Sequence, residues 1–64
     1  MRKFRFYVVD FYEGAELVAK ATCKYIAWKM LRDYNIDTNG ECKTFLYDIE
    51  IPKEREKLKK LGII

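Results

Sequence analysis

Apolar side chains occupy both faces of the first predicted strand, which extends from about Lys3 to Phe11. Aromatic and β-branched residues, which favour extended backbone, dominate this segment. Alternate positions form one face with Phe4, Phe6 and Val8, and an opposite face with Arg5, Tyr7, Val9 and Phe11. The pattern therefore predicts a central strand, or one that is covered on both sides.

The segment from Glu16 to Ala21 has two interpretations. As a strand, it would place three apolar residues on one face: Leu17, Ala19 and Ala21. As a helix, it would begin a longer element reaching Tyr34, because Ala, Glu, Leu and Lys favour helical backbone. We favour the strand, since Thr22 is a good N-cap residue directly before the clearest helical pattern in the chain.

That helical pattern covers the residues from Cys23 to Tyr34. Apolar residues recur there at spacings of three and four and predict a core-facing stripe of Cys23, Ile26, Ala27, Met30, Leu31 and Tyr34. Trp28 lies at the margin of this stripe. Asn35 follows as a residue that can end the helix, because Asn tolerates left-handed backbone.

The second half of the chain begins with a turn at residues 37–40, where Asn-Gly is a strong signal. A strand from about Glu41 to Ile51 follows. Its two faces carry Phe45, Tyr47, Ile49 and Ile51, and Thr44, Leu46, Asp48 and Glu50. Pro52 then opens a short helix over residues 53–61, and Gly62 is placed to end it.

The predicted order is β-β-α-β-α, which indicates a single α+β domain over residues 1–64. We expect an antiparallel sheet of three strands, with the main helix on one face and a short C-terminal helix. If residues 16–21 are helical, the order becomes β-α-β-α. Because the C-terminal helix has few apolar residues, the second face of the sheet is expected to be covered by that helix, a ligand or a second copy in a homodimer.

Charge is unevenly distributed along a chain whose net charge is +3. Both ends are basic and the middle is acidic, a pattern that suits polyanion binding or self-complementary contacts. No apolar stretch approaches the length of a membrane span, and no secretory signal pattern follows the basic N-terminus. We therefore expect a cytoplasmic protein without a membrane partner.

The residue types argue against an enzyme. The chain has no His and no Ser, and its three Gly cannot form a phosphate-binding loop. Asp48 and Glu50 share a predicted strand face and, with Asp10, would suit Mg²⁺, but a solvated strand face is the preferred interpretation. Cys23, placed in the first turn of the main helix, and Cys42 are expected to be reduced thiols. We therefore predict no catalytic residues, no metal site and no cofactor.

Aromatic and basic residues cluster on the outer face of the main helix: Lys24, Tyr25, Trp28, Lys29 and Arg32. Such residues form hot spots of protein interfaces, so the leading expectation is a non-enzymatic protein-interaction or regulatory module. They also suit phosphate contact and base stacking. The alternative is a nucleic-acid-binding protein that adds Arg2, Lys3 and Arg5 from the N-terminus.

Overall fold

Three antiparallel strands form the centre of the molecule, with β1 between β2 and β3. The computed structural model describes residues 3–64. Its elements are β1 (Phe6–Asp10), β2 (Glu16–Ala21), α1 (Lys24–Asp37), β3 (Thr44–Asp48) and α2 (Pro52–Lys60). The predicted α+β fold and the order β-β-α-β-α are confirmed, and the helical interpretation of residues 16–21 is wrong.

A bulge in β2 changes which residues share a face. Val8 pairs with Ala19 but Val9 pairs with Leu17, so Val18 is an extra residue in β2. Paired residues point to the same side of a sheet. The prediction that Leu17 shares a face with Ala19 is therefore wrong, because the bulge turns Leu17 to the face that carries Val9.

The first face of the sheet packs against α1. Its buried residues are Phe6, Val8, Ala21 and Ala27, with half-buried apolar residues around them. The buried stripe of α1 is narrower than predicted, since Ile26, Met30 and Cys23 are exposed while Ala27 is fully buried. Three strands span only about 10 Å, so one narrow row of helix side chains contacts them.

The second face of the sheet is covered in part by α2, which packs over β3 and Val9. Leu58 is fully buried against Val9 and Tyr47, and Phe11 and Ile63 pack around them. Although α2 has few apolar residues, its Leu58 alone buries the centre of this sheet face. Because α2 covers the centre of this face, the uncovered-face argument for a homodimer is limited to its margins, where Leu17 and Phe45 remain exposed.

Both ends of α1 differ from the prediction. Cys23, rather than Thr22, is the N-cap residue, and its side chain makes no capping hydrogen bond. The helix continues past Asn35 to Asp37. Asn39 takes the left-handed conformation (φ 58°), and its N–H donates to the Ile36 carbonyl, which completes the C-terminal cap.

The end of α2 follows the local rule that its sequence suggested. Gly62 has φ 78°, its N–H donates to the Lys59 carbonyl, and the Ile63 N–H donates to the Leu58 carbonyl. This is the Schellman arrangement, with Ile63 as the apolar contact beyond the cap.

The first and third strands are shorter than predicted. β1 begins at Phe6 rather than Lys3, and β3 runs over Thr44–Asp48 rather than from Glu41 to Ile51. The Ile51 N–H donates to the Asp48 carbonyl, because the chain turns there into α2. Within residues 3–64, no helix has the length and apolarity needed to cross a membrane.

Candidate functional site

The outer face of α1 presents all five residues of the predicted binding surface to solvent: Lys24, Tyr25, Trp28, Lys29 and Arg32. Tyr25 is 76% exposed and Trp28 is 52% exposed. Their positions follow from the helix phase, since Ala27 and Leu31 on the same helix point to the sheet. Because Trp is usually well buried, a half-exposed Trp is a feature that a contact surface would explain.

Trp28 separates two concave surfaces. One, the α1 depression, has a volume of about 460 Å³ and is lined by Tyr25, Trp28, Lys29, Leu31, Arg32 and Asn35. The other, the β3 groove, has a volume of about 360 Å³ and runs between α1, the outer edge of β3 and the start of α2. Trp28 and Leu31 line both, so the two surfaces are continuous.

The floor of the β3 groove is the outer edge of β3, one of the two free edges of the sheet. The Ile49 N–H donates to the Arg5 carbonyl, and the Lys43 carbonyl accepts the Phe11 N–H. The odd-numbered residues of β3 therefore bond to β1. In an antiparallel ladder the alternate residues then direct their N–H and C=O groups away from β1. Thr44, Leu46 and Asp48 are these residues.

The outward groups of Asp48 are already satisfied. Its N–H donates to Glu54 Oε1 at 2.8 Å, and its carbonyl accepts the Ile51 N–H. The outward N–H and C=O groups of Thr44 and Leu46 have no such partners among residues 3–64. Four backbone groups therefore line an accessible edge.

The charges along α1 are mostly unpaired. Within residues 3–64, no carboxylate lies within 4.0 Å of the ammonium groups of Lys24 or Lys29. Arg32 lies 4.0 Å from Asp33, at the limit of an ion pair. Their charge is available to a partner, although Glu54 provides an opposing charge at one end of the β3 groove.

The N-terminal basic residues of the nucleic-acid alternative behave differently. Arg2 lies outside the described residues. Lys3 is exposed beside the start of α1. Arg5 donates from Nε and Nη2 to the two carboxylate oxygens of Asp48 at 2.9 and 2.8 Å, and it also lies 3.6 Å from Glu50. This hydrogen bonding lowers the pKa of Asp48, and the charge of Arg5 is offset by its partners.

The three carboxylates considered for Mg²⁺ do not meet. Asp48 pairs with Phe6 and Asp10 pairs with Thr44, so the two acids lie at opposite ends of β1, about 13 Å apart along the strand. Asp10 is buried and accepts hydrogen bonds from Tyr12 N–H, Lys43 N–H and the Tyr34 hydroxyl. The Mg²⁺ hypothesis is wrong, because the sheet register separates its ligands.

The two thiols are separate and free. Cys23 is exposed at the N-cap of α1 rather than within its first turn, and Cys42 is half-buried. The Cys42 Sγ donates to Asn35 Oδ1 at 2.7 Å. Asn35 also donates from Nδ2 to Thr44 Oγ1 at 2.9 Å, so this side chain fixes the start of β3 against α1.

The sequence alone did not reveal the β3 groove. Its walls combine residues that are distant in the chain, including Leu31, Leu46, Ile51 and Glu54. Their proximity depends on β3 being an edge strand, which the pattern of apolar residues does not encode. Comparisons with protein-family models, with curated proteins and with solved structures found no match.

Proposed function

We propose that this protein is a non-enzymatic protein-interaction module whose contact surface is the outer face of α1. The observation that carries the proposal is the half-exposed Trp28 between two concave surfaces. Trp anchors that enter or border a pocket supply much of the binding energy at protein interfaces. Tyr25, Lys29 and Arg32 would form the rim around this anchor.

The proposal also fits the shortage of side chains that could carry out catalysis. The chain has no His and no Ser, and its buried carboxylate, Asp10, is saturated by three hydrogen-bond donors. A carboxylate in that environment stabilises the fold and is not available to a substrate. The free thiols fit a reducing compartment, which supports the proposal of a cytoplasmic protein.

Nucleic acid is the second candidate. Lys3 and Lys24 lie near the start of α1, with Lys29 and Arg32 further along it, which would suit a phosphate backbone. Against this candidate, Arg5 is held by Asp48 and Glu50, and these carboxylates would repel phosphate. A protein partner therefore explains more of the surface.

The proposal is tested by comparing the proteins that wild type and variants retain from a lysate, followed by affinity measurements with the purified partner. Trp28→Ala should weaken binding by about 2 kcal/mol or more, roughly thirtyfold, as expected of a hot spot. Tyr25→Ala should also weaken it. Met30→Ala is the matched control, because Met30 is exposed on α1 but lines neither concave surface.

Three outcomes would contradict the proposal. Equal affinities for wild type and Trp28→Ala would remove the anchor. Unfolding of Trp28→Ala would make Trp28 a structural residue. The third is binding of DNA or RNA. If Lys29→Ala and Arg32→Ala each reduce the slope of log affinity against log salt concentration by about one, the second candidate is established instead.

A further inference from the structure

The two edges of the sheet are built differently. The edge strand β2 contains the bulge at Val18 and carries the exposed charges of Glu16 and Lys20, which are devices that discourage pairing with another strand. The first four residues of β3, Thr44 to Tyr47, have no charge, Pro or bulge, and the fifth, Asp48, is bonded within the chain. The β3 edge is therefore the one that is suited to accept a further strand.

We propose that the β3 edge pairs with the β3 edge of a second copy of this chain, in antiparallel register about a two-fold axis at Phe45. This inference goes beyond the proposed function, because it rests on the edge of β3 and shares only Trp28 with the outer face of α1. It would join two three-stranded sheets into one sheet of six strands, in which both free β3 edges are removed.

The register follows from the backbone groups that remain free. With the axis at Phe45, Thr44 of each copy lies opposite Leu46 of the other, and these are the residues whose N–H and C=O groups point outward. Each such pair exchanges two hydrogen bonds, so all four free groups of each copy are satisfied. Asp48 lies beyond this segment and keeps its bonds to Glu54 and Ile51.

A register centred one residue further along satisfies fewer groups. With the axis at Leu46, Thr44 would lie opposite Asp48 of the second copy. Both backbone groups of Asp48 are already bonded within the chain, so Thr44 would remain unpaired. The internal bonds of Asp48 therefore favour the axis at Phe45 over the axis at Leu46.

Side chains support the same axis. Phe45 is 55% exposed although it packs edge-on against Phe11, with ring centroids 5.7 Å apart. Across the axis, the two Phe45 residues form a non-hydrogen-bonded pair, in which the Cα atoms approach to about 4.5 Å and the side chains meet. On the other face, Leu46 of the second copy would contact the apolar wall of the β3 groove at Trp28 and Leu31.

A second copy fits this edge better than an unrelated strand because the arrangement is self-complementary. A two-fold axis presents the same segment to itself, and both the backbone groups and the aromatic side chain match. An unrelated peptide in the groove is the main competing occupant, and the experiment below separates the two.

The test is a pair of charge variants, Phe45→Glu and Phe45→Lys, measured by light scattering over a dilution series. Wild type should change from twice the 7.7 kDa chain mass to the chain mass on dilution. Each variant alone places like charges across the axis and should weaken association by about a hundredfold. An equimolar mixture of the two should recover the dimer, because opposite charges then face each other.

Hydrogen exchange of the wild-type amides provides a measurement that does not depend on any variant. In the dimer, the Thr44 and Leu46 N–H groups should exchange more slowly than in dilute monomer, while Lys20 N–H in β2 should be unaffected. Thr44→Pro should reduce association relative to Thr44→Val, since both lose the hydroxyl that Asn35 contacts but only Pro removes the outward N–H.

Several results would overturn the inference. One is a constant chain mass up to about 1 mM. Another is failure of the equimolar mixture of Phe45 variants to restore the dimer. A third is a dimer in which the Thr44 and Leu46 amides exchange as fast as in the monomer. Slowed exchange at these amides only when the partner protein is added would assign the edge to the partner. Loss of partner binding by Tyr25→Ala, with the mass unchanged, tests the proposed function separately.

Discussion

The Tyr34 hydroxyl donates a 2.8 Å hydrogen bond to the buried carboxylate of Asp10. This contact ties the C-terminal half of α1 to the end of β1, and Asp10 also accepts the N–H groups of Lys43 and Tyr12. The bond from Lys43 contributes most to lowering the pKa of Asp10, burial opposes it, and the bonds from Tyr34 and Tyr12 lower the pKa further. The bond to Asp10, with burial, raises the pKa of Tyr34 to about 12.

These shifts predict how stability depends on pH. The carboxyl of Asp10 has a lower pKa in the folded state than its ordinary value of 3.8, so it stabilises the fold above that pH. This contribution is lost as the pH falls through the folded-state pKa. Asp10→Asn should therefore be less stable than wild type at pH 7, and the difference should narrow in acid.

Urea unfolding at a series of pH values measures this difference. Asp33→Asn is the control, because Asp33 is exposed on α1. A gap between wild type and Asp10→Asn that stays constant from neutral to strongly acidic pH would contradict the assigned role of the Asp10 carboxylate.

The coverage of the second sheet face by α2 gives another prediction. Leu58 is fully buried against Val9 and Tyr47, so Leu58→Ala should cost about 2–5 kcal/mol, a large part of the stability of a domain this small. Chemical denaturation followed by circular dichroism measures the loss. Lys59→Ala, one residue away and exposed, should change little. A near-neutral Leu58→Ala would mean that α2 does not dock on the sheet.

The N-cap of α1 offers a stabilising substitution. Cys23 has the extended backbone of an N-cap residue, but its side chain caps nothing, and no acidic residue lies in the first turn. Cys23→Asp should add about 1 kcal/mol, because the carboxylate can accept an orphan N–H and interacts favourably with the helix dipole. Thr22→Ala should change the free energy of unfolding by less than about 0.5 kcal/mol. The reverse order of effects in urea melts would restore Thr22 as the cap.

Local signals in the sequence predicted local structure well. Pro52 begins α2 and Gly62 ends it, because each residue has a strong backbone preference that neighbouring contacts do not override. The end of α1 was predicted wrongly because the sequence offers two Asn residues that could take the left-handed position after the helix. Asn39 takes the left-handed position, while Asn35 uses its side chain to bond Leu31 and Thr44.

Properties that depend on distant residues were not predictable. The bulge at Val18 leaves no mark in the alternation of β2, so the side of Leu17 was predicted wrongly. The edge of β3 is free because β2 and β3 both pair with β1, which places β3 at one side of the sheet. The exposure of Tyr25 could be predicted from helix phase, whereas the phase left Trp28 at the margin of the apolar stripe.

The surroundings of Trp28 give the last prediction. It is the sole Trp of the chain, so its fluorescence reports on one place, between the β3 groove and the α1 depression. Lys24, Lys29 and Arg32 line these surfaces and should concentrate anions near the indole at low salt. The ratio of iodide quenching to caesium quenching should therefore exceed the ratio for a free, uncharged indole, in protein dilute enough to be monomeric.

The preference for iodide should fall in Lys29→Gln and in Arg32→Gln, and it should fade as inert salt is added, because added ions screen exposed charges. Lys53→Gln on α2 is the control, since Lys53 lines neither of the two surfaces beside Trp28. A quenching ratio equal to that of a free indole would show that Glu54 and Asp33 cancel the field of the three cations. The rim assigned to the Trp28 anchor would then offer no electrostatic attraction to an acidic partner.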